Sequence, residues 1–326
     1  MHQADPTYSI SDPYTDLPFY SANVLANGGN WNGGANKYEF ASNPIAIAHF
    51  TNDKRTNFRT FGNVYAELAF LQNKELKLKS NLGVDLNMLH NKAFNQNYGD
   101  NDGGGSSIDQ GTGRQNRPSN LNEERGQETT ITWTNTLSYN KKIDKHTISA
   151  LAGSEFITNY ASGISASRAR YGNTDSAFRY IDFGNFPQDL WNGGSASQWA
   201  LFSLFGSVNY SYDNRFFATA SARLDKSSQF AANNQQAVFP SFSAGWRISQ
   251  EKFMQDISWL SDLKLRASTG KLGNQSGLNN YNSLSIYNSQ GTLMRYGNPD
   301  LKWETTTQDN IGIDVGLLKN TISFSA

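Results

Sequence analysis

The most constraining feature of the sequence is an alternation of apolar and polar residues with a period of two. Leu76, Leu78 and Leu82 occupy even positions. Lys77 and Lys79 occupy the odd positions among them. On a β-strand successive side chains point to opposite faces, so this pattern places the leucines on one face and the charges on the other. Because a helix would scatter both sets around its circumference, the pattern predicts an amphipathic strand.

Segments of this kind recur along the chain and are unusually long. The complete ones are roughly 12 to 20 residues, against about five or six for strands of soluble proteins and about 9 to 11 for a tilted strand that crosses a bilayer. The pattern therefore predicts an all-β fold, a transmembrane antiparallel β-barrel with about ten strands. The ten segments begin near residues 58, 75, 127, 145, 198, 215, 237, 261, 301 and 321.

The connections between the segments give a second signal, because short and long ones alternate. Asn73-Lys74 and Asp213-Asn214 are tight turns, whereas residues 97–126, 166–197 and 272–300 are long and polar. Outer-membrane barrels have short periplasmic turns and long extracellular loops. A soluble sandwich has no reason to sort its connections in this way. Aromatic residues near strand ends also suit the interfacial girdles of such barrels, at Tyr139, Tyr210, Tyr212, Phe216 and Trp246.

Composition excludes several functional classes. The formal net charge is zero, which argues against a nucleic-acid partner because phosphate binding needs a basic excess. The absence of cysteine excludes thiolate metal sites and thiol nucleophiles. The four histidines stand apart from one another, and a loop at Asp100–Gly105 that is similar to the start of a calcium site lacks its closing acid, since Gly111 stands there. We therefore expect no enzyme activity, no cofactor and no metal.

Several motifs carry a resemblance to a known family. The run Asn298–Thr306, which reads Asn-Pro-Asp-Leu-Lys-Trp-Glu-Thr-Thr, resembles a signature of the SusC/RagA-type TonB-dependent receptors of Bacteroidota. Residues 203–210, 238–248, 263–275 and 308–314 are also similar to that family in order and spacing. The resemblance covers roughly residues 40–326 and implies a plugged barrel of about 22 strands, of which this chain holds somewhat under half.

The resemblance also implies a function and a location. Such a receptor lies in the outer membrane of a Gram-negative bacterium, in contact with membrane lipid, and imports glycan or peptide fragments. Its partners are a SusD-like surface lipoprotein and the TonB complex, which is engaged through an N-terminal part. A passive porin-type barrel and a soluble secreted carbohydrate-binding β-protein are the alternatives. The start of the chain shows no signal-peptide pattern, and residues 321–326 lie in the middle of an alternating segment. We therefore expect a fragment, with an extracellular loop segment at residues 1–57 and a partial barrel at 58–326.

Two tryptophans are the candidate substrate-binding residues. Trp31 and Trp191 lie in segments rich in glycine and asparagine, and flat aromatic rings beside amides suit sugar rings or peptide segments. The competing interpretation is that each loop packs on its own aromatic side chain. Six charged residues occupy positions whose side chains are predicted to face the lumen: Arg223, Asp225, Arg247, Lys264, Arg266 and Asp314. They either contact a plug, or a water-filled interior simply tolerates their charge.

Overall fold

The fold is dominated by strands that pair with their neighbours in sequence. The computed structural model describes residues 51–71, 73–96, 119–184, 187–254 and 256–326. Ten strands form one antiparallel sheet in the order β1-β2-β3-β4-β5-β6-β7-β8-β11-β12, and β9 pairs with β10 in a separate ribbon. The strands are β1 Thr51–Phe70, β2 Leu76–Asn95, β3 Asn120–Ile143, β4 His146–Ala169, β5 Trp191–Tyr212, β6 Phe216–Ser227, β7 Gln236–Arg247, β8 Leu260–Asn274, β9 Ile286–Tyr287, β10 Leu293–Arg295, β11 Glu304–Leu317 and β12 Ile322–Ser325.

Helical structure is limited to short 3₁₀ turns. Three of them lie between β4 and β5, at Ser176–Phe178, Ile181–Phe183 and Pro187–Asp189. Two more lie between β7 and β8, at Ile248–Gln250 and Lys252–Met254. In the ranges that the structure describes, no helix has the length and apolarity that a membrane crossing requires.

The tight turns form where the sequence predicts them. Asp213 and Asn214 both adopt positive φ values, of 51° and 54°. The backbone N–H of Arg215 donates to the carbonyl of Tyr212 at 2.9 Å and closes the turn. Two successive left-handed residues form the hairpin turn whose twist matches the flanking strands, and Asp and Asn tolerate that conformation. The predicted hairpin between β5 and β6 is confirmed.

Strand boundaries differ from the prediction mainly next to the long connections. β1, β3 and β5 begin at Thr51, Asn120 and Trp191, earlier than the predicted starts near residues 58, 127 and 198. The ribbon of β9 and β10 lies inside the segment 272–300 that was expected to be a loop. The early parts of these strands lack strict alternation, because polar residues occupy both faces there.

The chain divides into two units. Unit 1 comprises Met1–Arg59, Asn87–Glu128 and Ala161–Ala196, and unit 2 comprises Thr60–Leu86, Thr129–Tyr160 and Ser197–Ala326. In unit 1, a small buried cluster consists of Phe94, Leu121 and Tyr171. The rings of Phe94 and Tyr171 pack edge to face, with their centres 5.3 Å apart. In unit 2, the buried hydrophobic side chains among the described residues are Phe230 and Phe239.

Among the described residues, no second layer covers the apolar face of the strands. Leu82, Val84 and Met88 on β2 are 42 to 43% exposed, and Phe242 on β7 is 56% exposed. A soluble sandwich would bury these side chains between two sheets. Large hydrophobic side chains exposed on strand after strand indicate a sheet whose apolar face meets lipid.

Candidate functional site

Strand register divides the surface of unit 2 into two faces. Ser241 on β7 pairs with Ser221 on β6 and with Gly270 on β8. The adjacent residue Phe242 pairs with Ala220 and points the other way. Directly opposed residues share a face, so each face is continuous across the strands. We call the serine side the polar face; its central residues are Ser207, Asn209, Thr219, Ser221, Ser241, Ser243, Ser268 and Asn310.

A groove of about 460 Å³ lies over the polar face. Two cationic residues, Lys264 and Arg266, line it together with the aromatic ring of Phe217. Lys264 Nζ lies 4.6 Å from the centre of that ring, close enough for a cation–π contact. The other polar residues that line the groove include Thr147, Ser149, Asn209, Ser211, Thr219, Ser243, Ser268 and Asn310.

Gly312 allows Arg266 to lie flat along the polar face. A Cβ atom on Gly312 would stand 2.8 Å from Cζ of Arg266, so any other residue would displace the guanidinium. In this position Arg266 Nε lies 3.3 Å from Asp314 Oδ2, and the Ser325 hydroxyl donates to the same carboxylate at 2.9 Å. Gly245 likewise leaves room for the side chain of Lys264, because a Cβ atom on Gly245 would stand 3.2 Å from Cε of Lys264. The space beside these two glycines is occupied by the side chains of Arg266 and Lys264.

Arg223 is the centre of a second polar network on this face. Its Nη2 lies 2.9 Å from Glu155 Oε1 on β4 and donates to the Ser203 hydroxyl at 2.7 Å. Its Nε lies 2.7 Å from Asp225 Oδ1. Ser203 is fully buried and Asp225 is 8% exposed. The network ties β4, β5 and β6 together by side chains, in addition to the backbone ladder.

The signature tryptophan Trp303 lies in an aromatic cluster with Phe230 and Phe239. The centre of the Trp303 ring lies 4.8 Å from that of Phe230 and 5.5 Å from that of Phe239. The indole N–H of Trp303 donates to the carbonyl of Gln235 at 3.1 Å. An added Cβ on Gly273 would overlap the Phe239 ring. Three motif segments that are far apart in sequence therefore meet at one packed point. These partners hold the Trp303 side chain half-buried.

The chain matches the family described as "TonB dependent receptor-like, beta-barrel" over residues 4–326. The chain belongs to this family. It is 36% identical over 203 residues to the TonB-dependent receptor P39 of Formosa agariphila, a stretch that covers 59% of the chain and 19% of P39. It is 26% identical over 345 residues to the TonB-dependent receptor SusC of Bacteroides thetaiotaomicron, covering 98% of the chain and 31% of SusC.

Solved structures agree with the sequence comparison. The structure of the RagAB peptide transporter superposes with a TM-score of 0.74 at 28% identity, covering 87% of this chain and 31% of that one. The RagAB peptide importer in its "open-open" state superposes equally well, at 27% identity. The chain thus spans less than a third of the length of these relatives, and its ten strands correspond to part of their barrel.

Membership of the family gives the fold and the location of this receptor barrel. TonB-dependent receptors are outer-membrane proteins of Gram-negative bacteria, and they are transport proteins rather than enzymes. The predicted all-β transmembrane barrel, its partial extent and the SusC/RagA-type resemblance are confirmed. The apolar face of unit 2 therefore meets lipid and the polar face lines the barrel interior, as in other barrels of this kind.

Aromatic side chains mark the short-turn end of the receptor barrel. Tyr212 pairs with Phe216, which in turn pairs with Trp246, so the three rings form a row on the apolar face. The Phe216 and Trp246 rings stack with centres 6.4 Å apart, and the indole N–H of Trp246 donates to Glu251 Oε1 at 3.1 Å. An aromatic ring with a polar tip suits the boundary between lipid and water.

The candidate substrate residue Trp191 is the first residue of β5. Its side chain is 59% exposed. A Cβ atom on Gly193 would lie 3.1 Å from Cη2 of Trp191, so the indole packs over the Gly193 backbone and keeps its other face accessible. Trp31 and the segment Asp100–Gly105 lie outside the described residues. Within the described ranges, no three His, Asp or Glu side chains gather as a metal would require.

The sequence predicts which charged residues lie on the polar face but not all the side chains that they contact. Glu155 and Ser203 complete the Arg223 network, yet neither stood out in the sequence. Both occupy positions of the polar parity on their strands, so the alternation was a usable signal for their face. The register that brings Glu155 to Arg223 depends on the pairing of three strands and is not readable from any one of them.

Proposed function

We propose that this chain forms part of the barrel wall of a SusC-like nutrient receptor, which imports glycan or peptide fragments together with a SusD-like surface lipoprotein. Energy would reach the receptor from the TonB complex through its N-terminal part. The proposal rests on the family match over residues 4–326 and on the similarity to SusC and RagAB.

The polar face is the observation that favours an importer most directly. Its groove and ion pairs offer hydrogen-bond donors and acceptors along the inside of a barrel wall. Such a surface suits a hydrated path for polar cargo and polar contacts to a plug. A peptide or an oligosaccharide carries many hydrogen-bonding groups, whereas an apolar cargo would find few partners here.

Trp191 is the proposed cargo contact within the described residues. Its ring is exposed on one side and held by Gly193 on the other, which fixes a flat surface at low entropic cost. We propose Trp31 as a second contact, on the grounds of its similar sequence surroundings. Stacking by an aromatic ring contributes about 1 kcal/mol, so its loss corresponds to roughly fivefold weaker binding.

Uptake by cells that express the complete receptor with its lipoprotein partner tests the proposal. Labelled oligosaccharides and peptides would be compared in the presence and absence of a working TonB complex. We expect energy-dependent uptake of one of the two classes. The change Trp191→Ala should lower that uptake about fivefold, in keeping with the loss of one stacking contact. Trp259→Ala is the matched control, because Trp259 is 58% exposed but its carbonyl accepts from the N–H of Leu318, next to the tight turn between β11 and β12.

A passive porin is the function that this experiment separates most clearly. Uptake that continues unchanged without the TonB complex, for small solutes of either class, would replace the importer with a pore. Equal loss of uptake in the Trp191 and Trp259 variants would remove Trp191 from the cargo path while leaving the importer intact.

A further inference from the structure

The outward surface of unit 1 changes from apolar to charged at one level on neighbouring strands. On β2, Met88 is followed on the same face by His90 and Lys92. A groove of about 590 Å³ lies at this change. It combines exposed apolar side chains with an arginine, and its lining includes Phe58, Met88, His90, Arg125, Ser162 and Ile164.

The apolar part of this groove is accessible. Phe58 is 58% exposed, Met88 42% and Ile164 67%. A second groove of about 460 Å³ shares Ile164 and Arg125 with the first and adds Ile181 from the connection between β4 and β5. Together the two grooves form a continuous amphipathic surface, which we call the boundary groove, with a strip of hydrocarbon on one side and charged groups on the other.

The charged part of the boundary groove offers cations to an anion. The Arg125 side chain is 65% exposed, and its Nη2 lies 3.3 Å from Glu123 Oε1. A guanidinium carries five N–H donors, so accessible donors remain after this contact. His90 Nε2 lies 2.9 Å from the same Glu123 oxygen. Lys92 lies beside the groove, because it follows His90 on the same face of β2, and its Nζ lies 4.9 Å from the centre of the Tyr180 ring.

The connections locate the boundary groove relative to the membrane. Unit 1 contains the residues on either side of the two long connections 97–118 and 170–190. Long connections are extracellular in outer-membrane barrels. A change from apolar to charged at this end therefore lies at the headgroup level of the outer leaflet, whose glycolipids carry phosphate groups directly above their acyl chains.

We propose that the boundary groove binds the phosphorylated headgroup of lipopolysaccharide. Arg125 and Lys92 contact a lipid A phosphate, and an acyl chain lies along Ile164, Met88 and Phe58. Arginine suits this role because its planar donors match phosphate oxygens in pairs. Glu123 accepts a hydrogen bond from Arg125 at 3.3 Å and holds it in place. The assignment concerns the lipid-facing surface and does not depend on what the receptor transports.

Lipid binding to the complete purified receptor tests the assignment, with native mass spectrometry as the readout. The probes are bisphosphorylated lipid A, the same lipid without phosphates, and inorganic phosphate alone. We expect the phosphorylated lipid to remain bound and the dephosphorylated lipid to bind roughly tenfold more weakly, because a charge-assisted hydrogen bond contributes about 1.5 kcal/mol or more. Inorganic phosphate should bind far more weakly than the lipid, since it lacks the acyl chain.

Variants assign the binding to the boundary groove. The double change Arg125→Gln with Lys92→Gln should weaken binding of phosphorylated lipid A at least tenfold relative to the unmodified receptor. Lys142→Gln is the matched control, because Lys142 is an exposed cation at the opposite end of β3, and it should leave binding unchanged. The comparison of the two lipids on the unmodified receptor needs no variant to fold.

Three outcomes would overturn the assignment. Equal binding of phosphorylated and dephosphorylated lipid A would show that the groove takes hydrocarbon alone. Unchanged binding in the double variant would move the site elsewhere. Displacement of bound lipid by the SusD-like lipoprotein, or by a second copy of the receptor, in proportion to its concentration would show that the boundary groove is a protein interface.

Discussion

Phe242 and Ser243 are neighbours on β7, and they meet opposite surroundings. Phe242 is 56% exposed on the apolar face, while Ser243 lines the polar groove. On the apolar face, exposed rings and aliphatic chains have few partners within the chain. On the polar face, side chains form hydrogen bonds and ion pairs from strand to strand. Lipid therefore stabilises one face, whereas a network of the protein's own groups stabilises the other.

A cationic side chain placed on the apolar face should lower the free energy of unfolding more than any other change proposed below. Phe242→Arg places a cation in the lipid, which costs about 2–4 kcal/mol near the middle of the bilayer. Ser243→Arg places the same side chain over the polar groove, where it should change the free energy of unfolding little. Denaturant unfolding of the complete receptor in liposomes measures both. Equal destabilisation by the two substitutions would contradict the assignment of the faces.

The second effect concerns the packed point of the polar face. Gly273→Ala forces Phe239 away from Trp303, and overpacking of this kind costs about 1–3 kcal/mol. Phe239→Leu in the same chain should recover part of the loss, because the smaller side chain leaves room for the added methyl group. A double-mutant cycle of unfolding free energies measures the coupling. Strict additivity of the two changes would mean that the ring and the glycine do not restrict each other.

A smaller effect is expected for the hydrogen bond of Trp303. Trp303→Phe retains a ring between Phe230 and Phe239 but removes the donor to Gln235. The free energy of unfolding should fall by about 1 kcal/mol, the usual contribution of one hydrogen bond. Trp259→Phe serves as the exposed control and should change it less. A loss of similar size in both variants would assign the effect to the indole ring in general.

The smallest effect is a pH dependence outside the strands. Burial raises the pKa of Tyr171 to about 12, and its hydroxyl donates to the carbonyl of Tyr180 at 2.9 Å. The folded protein therefore keeps this proton when the unfolded chain has lost it, so the contribution to stability is complete below pH 10 and is lost as the pH rises toward 12. Ultraviolet titration of tyrosine ionisation, compared between the unmodified protein and the Tyr171→Phe variant, measures the pKa of Tyr171. An ordinary midpoint near 10 would contradict the buried environment.

The fold could be predicted from the sequence to the extent that lipid dictates its pattern. Leu82, Val84 and Met88 must face lipid, and this requirement imposes the alternation that identified β2. At Trp191 and Thr51 the strands extend beyond that requirement, both faces carry polar residues, and the alternation disappears. The first residues of β1, β3 and β5 were missed for this reason. The β9–β10 ribbon has strands of two and three residues, too short to show any period.

The sequence predicts on which face each charged residue of the candidate site lies, but not which side chain it contacts. Parity assigned Arg223, Lys264 and Arg266 to the polar face correctly. Their contacts depend on strand register, which a single sequence does not encode locally, so Glu155 was not identified. The packing of Trp303 was equally hidden from the sequence, since a tryptophan near a strand end suits both an interfacial girdle and a packed loop. Its burial depends on Phe230 and on Gly273, which are distant in sequence.

A scan of solvent access along β7 measures directly which side chains meet lipid and which meet water. The segment contains no cysteine, so single cysteines at 241, 242, 243 and 244 can each carry a nitroxide label in the complete receptor in liposomes. We predict alternation, with labels at 242 and 244 accessible to oxygen dissolved in lipid and labels at 241 and 243 accessible to a water-soluble nickel complex. Equal access of the nickel complex to all four positions would contradict the central claim that one face meets lipid and the other lines a wet interior.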